Sequence, residues 1–224
     1  KAKKKTGVGS DEFDAAFAKA RLEIKKQLGK TASSHNRLLY FQRTLEILGF
    51  RSQIQLSLEF EQAFWASYLT TMELREGATD FLDQLARINI PKILVTDLTA
   101  QIQFRKLVYL ELDRRFEYIV TSEESGRDKP HRASFEIAIE KLSPLENPEK
   151  TELKEQGFWM IGDSLESDIK GAKQAINATT LALKSGVRTH VTDPSIDMLF
   201  ESFRDLEQWL FDKGWDHAKN IYRT

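Results

Sequence analysis

The sequence predicts an α/β fold: a Rossmann-like three-layer core with a parallel sheet, plus a small all-helical domain. Two patterns carry this. Up to about residue 75 the apolar residues recur at helical spacing with no strand between them. Beyond Pro91, short apolar runs alternate with helical segments, the order that gives parallel strands covered on both faces.

Residues 1–10 combine like charges with two glycines and have no apolar period, so they read as a linker or loop. Residues 11–75 form the helical domain. Phe13, Phe17, Ala20, Leu22 and Ile24 give a first apolar face that Gly29 ends. Ser34 is placed to cap a second helix, which carries Leu38, Leu39, Phe41, Leu45 and Leu48 to Gly49. A third helix, from Ile54 to Leu74, bears Leu58, Phe60, Phe64, Trp65 and Tyr68.

The core occupies 76–224 and opens with a helix over 79–87. Four strand signals follow, at 92–96, 118–120, 158–161 and 180–183, with helices at about 100–112, 133–142 and 166–174 after the first three. The Pro- and Glu-rich stretch from Ser143 to Gln156 reads as a surface excursion. A C-terminal helix with Trp209, Trp215 and Tyr222 reads as a cover for the core.

Composition narrows the function classes. The 33 basic and 34 acidic residues nearly cancel, so no global field favours nucleic acid or an anionic membrane surface. The excess is unevenly placed: residues 1–75 hold 13 Lys or Arg against 8 Asp or Glu, and 76–224 hold 20 against 26. There is no cysteine, hence no disulfide framework, thiolate metal site or cysteine nucleophile. Without an 18-residue apolar run or a signal-peptide pattern, the expectation is a soluble cytoplasmic protein, a monomer or homodimer, with no membrane or nucleic-acid partner.

In a doubly covered parallel sheet, ligands collect beyond the carboxyl ends of the strands. Past the first strand stand Thr96 and Asp97, with Thr99 placed to cap the next helix, so a hydroxyl and free backbone N–H groups point to one spot that favours an anion. Past the second comes Lys129-Pro130, in which the proline keeps the lysine off any helix. Its ammonium suits a phosphate or a carboxylate cluster. Past the third strand, Gly162-Asp163 and Asp168 offer two hard carboxylates about a helical turn apart, a partial site for magnesium. Each feature has a plain structural reading: a capped helix, a solvated loop lysine, and acids favoured at a helix start. On successive strands of one sheet, however, they converge on one pocket with what phosphoryl transfer requires.

With these residues the sequence resembles the haloacid dehalogenase superfamily, in particular its phosphatases with a helical cap. The matching motifs are the strand ending in Thr96, Lys129-Pro130, and Gly162-Asp163 with Asp168. Supporting positions are Glu76-Gly77, Lys106-Leu107, Ser122-Glu123-Glu124 with Gly126, and Phe203 with Leu206. The resemblance implies that Thr96 and the N–H of Asp97 bind the phosphate of a small phosphorylated metabolite. Lys129 would hold phosphate and nucleophile, and Asp163 would ligate Mg²⁺. Asp168 would support the metal through water or orient Lys129. The family more often has Asn where this chain has Asp97. The helical domain would be the cap, with Arg37, His35 and Arg43 as candidates for a second anionic group.

The family's first motif is an apolar strand ending in Asp-x-Asp-x-Thr, whose first aspartate attacks phosphorus. No segment here fits it. The sequence opens on Lys1 with what reads as the loop after that motif, so the strand, central in the sheet, is expected upstream of Lys1. Two other readings remain: a non-catalytic binding or regulatory module on the same scaffold, and a 2-haloacid dehalogenase, which needs no magnesium.

Overall fold

The aromatic residues spaced along the first 75 positions meet in one cluster. A computed structural model describes residues 2–142, 157–187 and 190–209. It begins with a short helix α1 (Ala2–Thr6), where the sequence reads as a loop. Helix α2 (Ser10–Leu28) is stopped by Gly29, whose φ of 64° suits a residue without a Cβ. A 3₁₀ turn (Ala32–His35) then leads into α3 (Arg37–Ile47) and α4 (Ile54–Leu69). The cap of α3 is Asn36 rather than Ser34: its side-chain oxygen accepts the N–H groups of Leu38 at 2.9 Å and Leu39 at 3.4 Å. Ser34 is instead buried inside the 3₁₀ turn, its carbonyl accepting the hydroxyl of Tyr40. Phe13, Phe41, Leu45 and Phe60 form the core of this cap, with Phe13 and Phe60 edge to face at 5.5 Å.

The remainder alternates strand and helix: α5 (Ala78–Arg87), β1 (Ile93–Thr96), α6 (Ala100–Tyr109), β2 (Tyr118–Thr121), α7 (Ser122–Ser125) and α8 (Ala133–Leu142). Then come β3 (Trp159–Gly162), a π-helical turn (Leu165–Lys170) that continues as α9 (Gly171–Ile176), and β4 (Thr179–Leu183). The order closes with α10 (Lys184–Val187), β5 (Met198–Phe200) and α11 (Phe203–Trp209). The three residues of β5 are too few for a periodic signal, and the sequence reading does not contain that strand.

All strand pairs are parallel, as expected for this Rossmann-like core. The strands nevertheless form two sheets among the described residues, β1-β2 and β3-β4-β5, so β1 and β3 have one neighbour each. Side-chain alternation builds the layers of the larger sheet. Trp159, Ile161, Leu181 and Leu183 face α5 and α11, where Phe81, Leu85 and Leu206 complete a cluster. Met160 and Ala182 face the other way, packing with Phe135, Ala172, Leu165 and Ile169. Trp209 lies 5.7 Å from Trp159 as part of the core; Trp215, Tyr222 and the excursion at 143–156 lie outside the described residues. No helix among the described residues is long and apolar enough to cross a membrane.

Candidate active site

Strand β1 delivers Thr96 to its carboxyl end, and the turn that follows is tightly held. Leu98 adopts φ 124°, a conformation that a side chain with a Cβ rarely takes. Gln103, buried on α6, donates its amide to the carbonyl of Asp97 at 2.8 Å and also to Oγ1 of Thr96. Because β1 and β2 pair with Thr96 beside Thr121, the residues after β2 arrive next to this turn. Ser122 Oγ accepts the Leu98 N–H at 2.9 Å, and Glu123 Oε2 accepts the Ala100 N–H at 2.8 Å. Thr99, expected to cap α6, makes no side-chain cap bond; the Glu123 carboxylate takes that place. Two of the N–H groups that looked free for an anion are therefore already bonded.

Lys129 joins the pieces. Its Nζ donates to the carbonyl of Val95 at 2.9 Å and to Oδ1 of Asp168 at 2.7 Å, and its backbone N–H donates to Oδ1 of Asp97 at 2.9 Å. The Asp97 side chain thus turns toward residue 129. Burial pushes its carboxyl above the ordinary carboxylate range; the Lys129 N–H and ammonium oppose this, while Asp128 and Asp168 add to it. The other oxygen of Asp168 accepts the N–H groups of Asp163 at 3.3 Å and Ser164 at 3.1 Å. Both Asp168 oxygens are thereby engaged within the protein. Two glycines permit this packing. A Cβ on Gly162 would fall 2.5 Å from Asp168 Cβ, and one on Gly171 would fall 3.0 Å from Pro130.

Asp163 differs from Asp168. It is exposed, and it borders a cavity of about 670 Å³ together with Arg75, Ser164, Glu166, Ser185 and His190. Its backbone rests on Gly186, where a Cβ would lie 2.1 Å from the Asp163 carbonyl oxygen. Magnesium takes hard oxygens, binds through one or two carboxylates and completes its shell with water and substrate oxygens. Asp163 fits that chemistry as one ligand. Among the described residues no three His, Cys, Asp or Glu converge as a complete metal set.

Of the residues singled out in the sequence, Thr96, Asp97, Lys129 and Asp168 meet directly or through one partner, and Asp163 sits beside them. Arg43 is paired with Glu23 at 2.7 Å and Glu46 at 3.1 Å within the cap. Sequence reasoning missed Gln103, Gly186 and Asp128. Asp128 is buried beside Lys129, with one oxygen 2.9 Å from His35 Nε2 and the other without a hydrogen bond. Its N–H donates to the carbonyl of Lys30 at 3.1 Å, so the cap touches the loop that carries Lys129.

A model of haloacid dehalogenase-like hydrolases matches residues 2–175. The chain is 32% identical to ribulose-1,5-bisphosphate 5-phosphatase of Halopiger xanaduensis, over 83% of this chain and 70% of that one. It is 28% identical to glyceraldehyde 3-phosphate phosphatase of Pyrococcus furiosus, over 78% and 66%. A solved structure of the HAD-hydrolase YfnB from Bacillus subtilis, bound to magnesium, superposes with a TM-score of 0.62 at 21% identity, covering 91% of this chain and 84% of that one.

Proposed function

Because the chain belongs to the haloacid dehalogenase-like hydrolases, we propose that it works as a magnesium-dependent phosphatase on a small phosphorylated metabolite. The observation that carries this is Lys129, its side chain 10% exposed, with its ammonium between the end of β1 and Asp168 while Asp163 stays open to a cavity. Both curated relatives named above are phosphatases of small phosphorylated carbon compounds, which supports the substrate class.

In this reading the Thr96 hydroxyl and the Asp97 N–H orient the phosphoryl oxygens, and Gln103 fixes the turn that presents them. Lys129 offsets the charge that builds on the phosphoryl group, and Asp168 holds Lys129 in place. Asp163 would hold Mg²⁺, which when bound neutralises phosphate charge. The nucleophilic aspartate would belong to a strand between β1 and β3, each of which has one edge without a strand partner among the described residues. Its carboxylate oxygen bonds to phosphorus as the ester oxygen leaves, and water then cleaves the acyl phosphate to release inorganic phosphate. The cap, held to the Lys129 loop through His35 and Asp128, would exclude bulk water.

The test is phosphate release by the natural full-length protein from p-nitrophenyl phosphate and a panel of sugar and triose phosphates, with magnesium and with excess EDTA. Magnesium-dependent release that is lost in Lys129→Ala is expected. Release untouched by EDTA, or full activity of Lys129→Ala, would refute the reading. Chloride release from a 2-haloacid would favour the dehalogenase, and phosphometabolite binding without turnover the binding module.

A further inference from the structure

The seam between cap and core carries positive charge that the site described above does not use. Arg37, at the start of α3, lies over the rings of Tyr40, Phe64 and Trp65, with centroid distances of 5.2, 5.4 and 5.7 Å. Lys106, on α6 of the core, approaches the same indole: its Nζ is 5.7 Å from the Trp65 ring and 5.6 Å from that of Tyr68. Neither cation has a carboxylate within ion-pair distance among the described residues. Several other cations that are not fully exposed, Lys92, Lys129, Lys141, Lys170 and Arg43, do have one. Burial first, and then Arg37, pushes the Lys106 ammonium below its ordinary value. Burial also lowers Arg37, with Tyr40 opposing this, Arg21 adding to it and Tyr68 opposing it. Two half-buried cations sharing one aromatic wall repel each other. Cation–π contact offsets only part of what they lose in leaving water.

We infer that Arg37 and Lys106, walled by Trp65 and Tyr68, form a subsite for a second anionic group of the substrate, so that the preferred substrates are phosphomonoesters with another phosphate or carboxylate at the far end. The seam adjoins the reacting end. Nη1 of Arg37 donates to the carbonyl of His35 at 2.7 Å, the His35 ring contacts Asp128, and Asp128 precedes Lys129 in the chain. A guanidinium forks onto phosphate or carboxylate oxygens and the ammonium adds a point charge, while the rings exclude water and strengthen both contacts. An anion arriving here meets one cation from the cap and one from the core. This inference rests on the phosphatase reading for its link to turnover, but not for its prediction of binding.

Two measurements on the natural full-length protein separate the two. The first is calorimetric binding of fructose 1,6-bisphosphate and of fructose 6-phosphate in EDTA, where no turnover is needed. The bisphosphate is expected to bind more tightly, and Arg37→Met and Lys106→Met should each weaken it by about 10- to 100-fold, with Arg37→Lys restoring part of the loss. Equal binding of the two sugars, or no effect of either methionine variant, overturns the subsite. The second is the ratio of kcat/KM for the bisphosphate to that for p-nitrophenyl phosphate, which should fall by a similar factor in both variants. If no phosphate is released from any compound while the binding difference persists, the phosphatase reading fails and the subsite stands. If release is robust but the ratio does not move, the subsite fails and the phosphatase reading stands.

Discussion

Nζ of Lys129 lies 2.7 Å from Oδ1 of Asp168, with the two side chains only 10% and 9% exposed. A pair so buried is worth little more than a well-packed apolar substitute, but removing one member strands the other. Lys129→Met or Asp168→Leu should each cost about 3–5 kcal/mol in denaturant unfolding. The double variant should lose clearly less than the sum of the two, the signature of direct coupling. Additive losses would place the two charges out of contact. Phosphate release should fall at least about 100-fold in each single variant.

Gln103→Leu leaves the Asp97 carbonyl without its 2.8 Å donor and releases Thr96 Oγ1. The expected loss is about 1–3 kcal/mol, with a raised KM. An unchanged unfolding midpoint would show that the turn after β1 does not depend on this amide.

The Asp97 carboxyl titrates higher in the folded chain than in the unfolded one, chiefly because it is buried. The folded state therefore holds the proton over a pH range in which the unfolded state has lost it. Stability from this group is full below the ordinary aspartate range and declines as pH rises through the elevated folded value. Asp97→Asn keeps an oxygen for the Lys129 N–H and removes the titration. Its gain in Tm should be larger at pH 7 than at pH 4, and a gain independent of pH would contradict the burial argument.

Gly186→Ala puts a Cβ where the Asp163 carbonyl already lies, at 2.1 Å, so the turn bearing Asp163 must shift. The magnesium concentration for half-maximal phosphate release should rise about 10- to 100-fold, as for other changes behind a metal ligand. An unaltered magnesium titration would remove Asp163 from the proposed role.

Where one chain segment sets the outcome, the sequence was readable. The run Ile93 to Thr96 and the run Phe158 to Ile161 declare strands, which the fold contains as partly buried ones, and Lys129 and Asp168, from the segments after β2 and β3, pair at 2.7 Å. Contacts between distant segments left no local trace. Glu123 caps α6 in place of Thr99 because parallel pairing sets Thr121 beside Thr96. His35 reaches Asp128 across 93 positions. Gln103 looks like any polar helix residue until its burial is known. Ser34 and Asn36 are equally good caps on composition, and only the 3₁₀ turn over Ala32–His35 decides between them.

Trp65 is 5% exposed and has a guanidinium of the cap and an ammonium of the core each 5.7 Å from its ring. Indole emission responds to the field of nearby charges, so this side chain is an optical gauge of how far the two parts stand from each other. Of the four tryptophans, Trp159 and Trp209 pack together in the core. With those two and Trp215 replaced by phenylalanine, the spectrum of Trp65 alone would report any change in the distance between the two parts, with no dye attached.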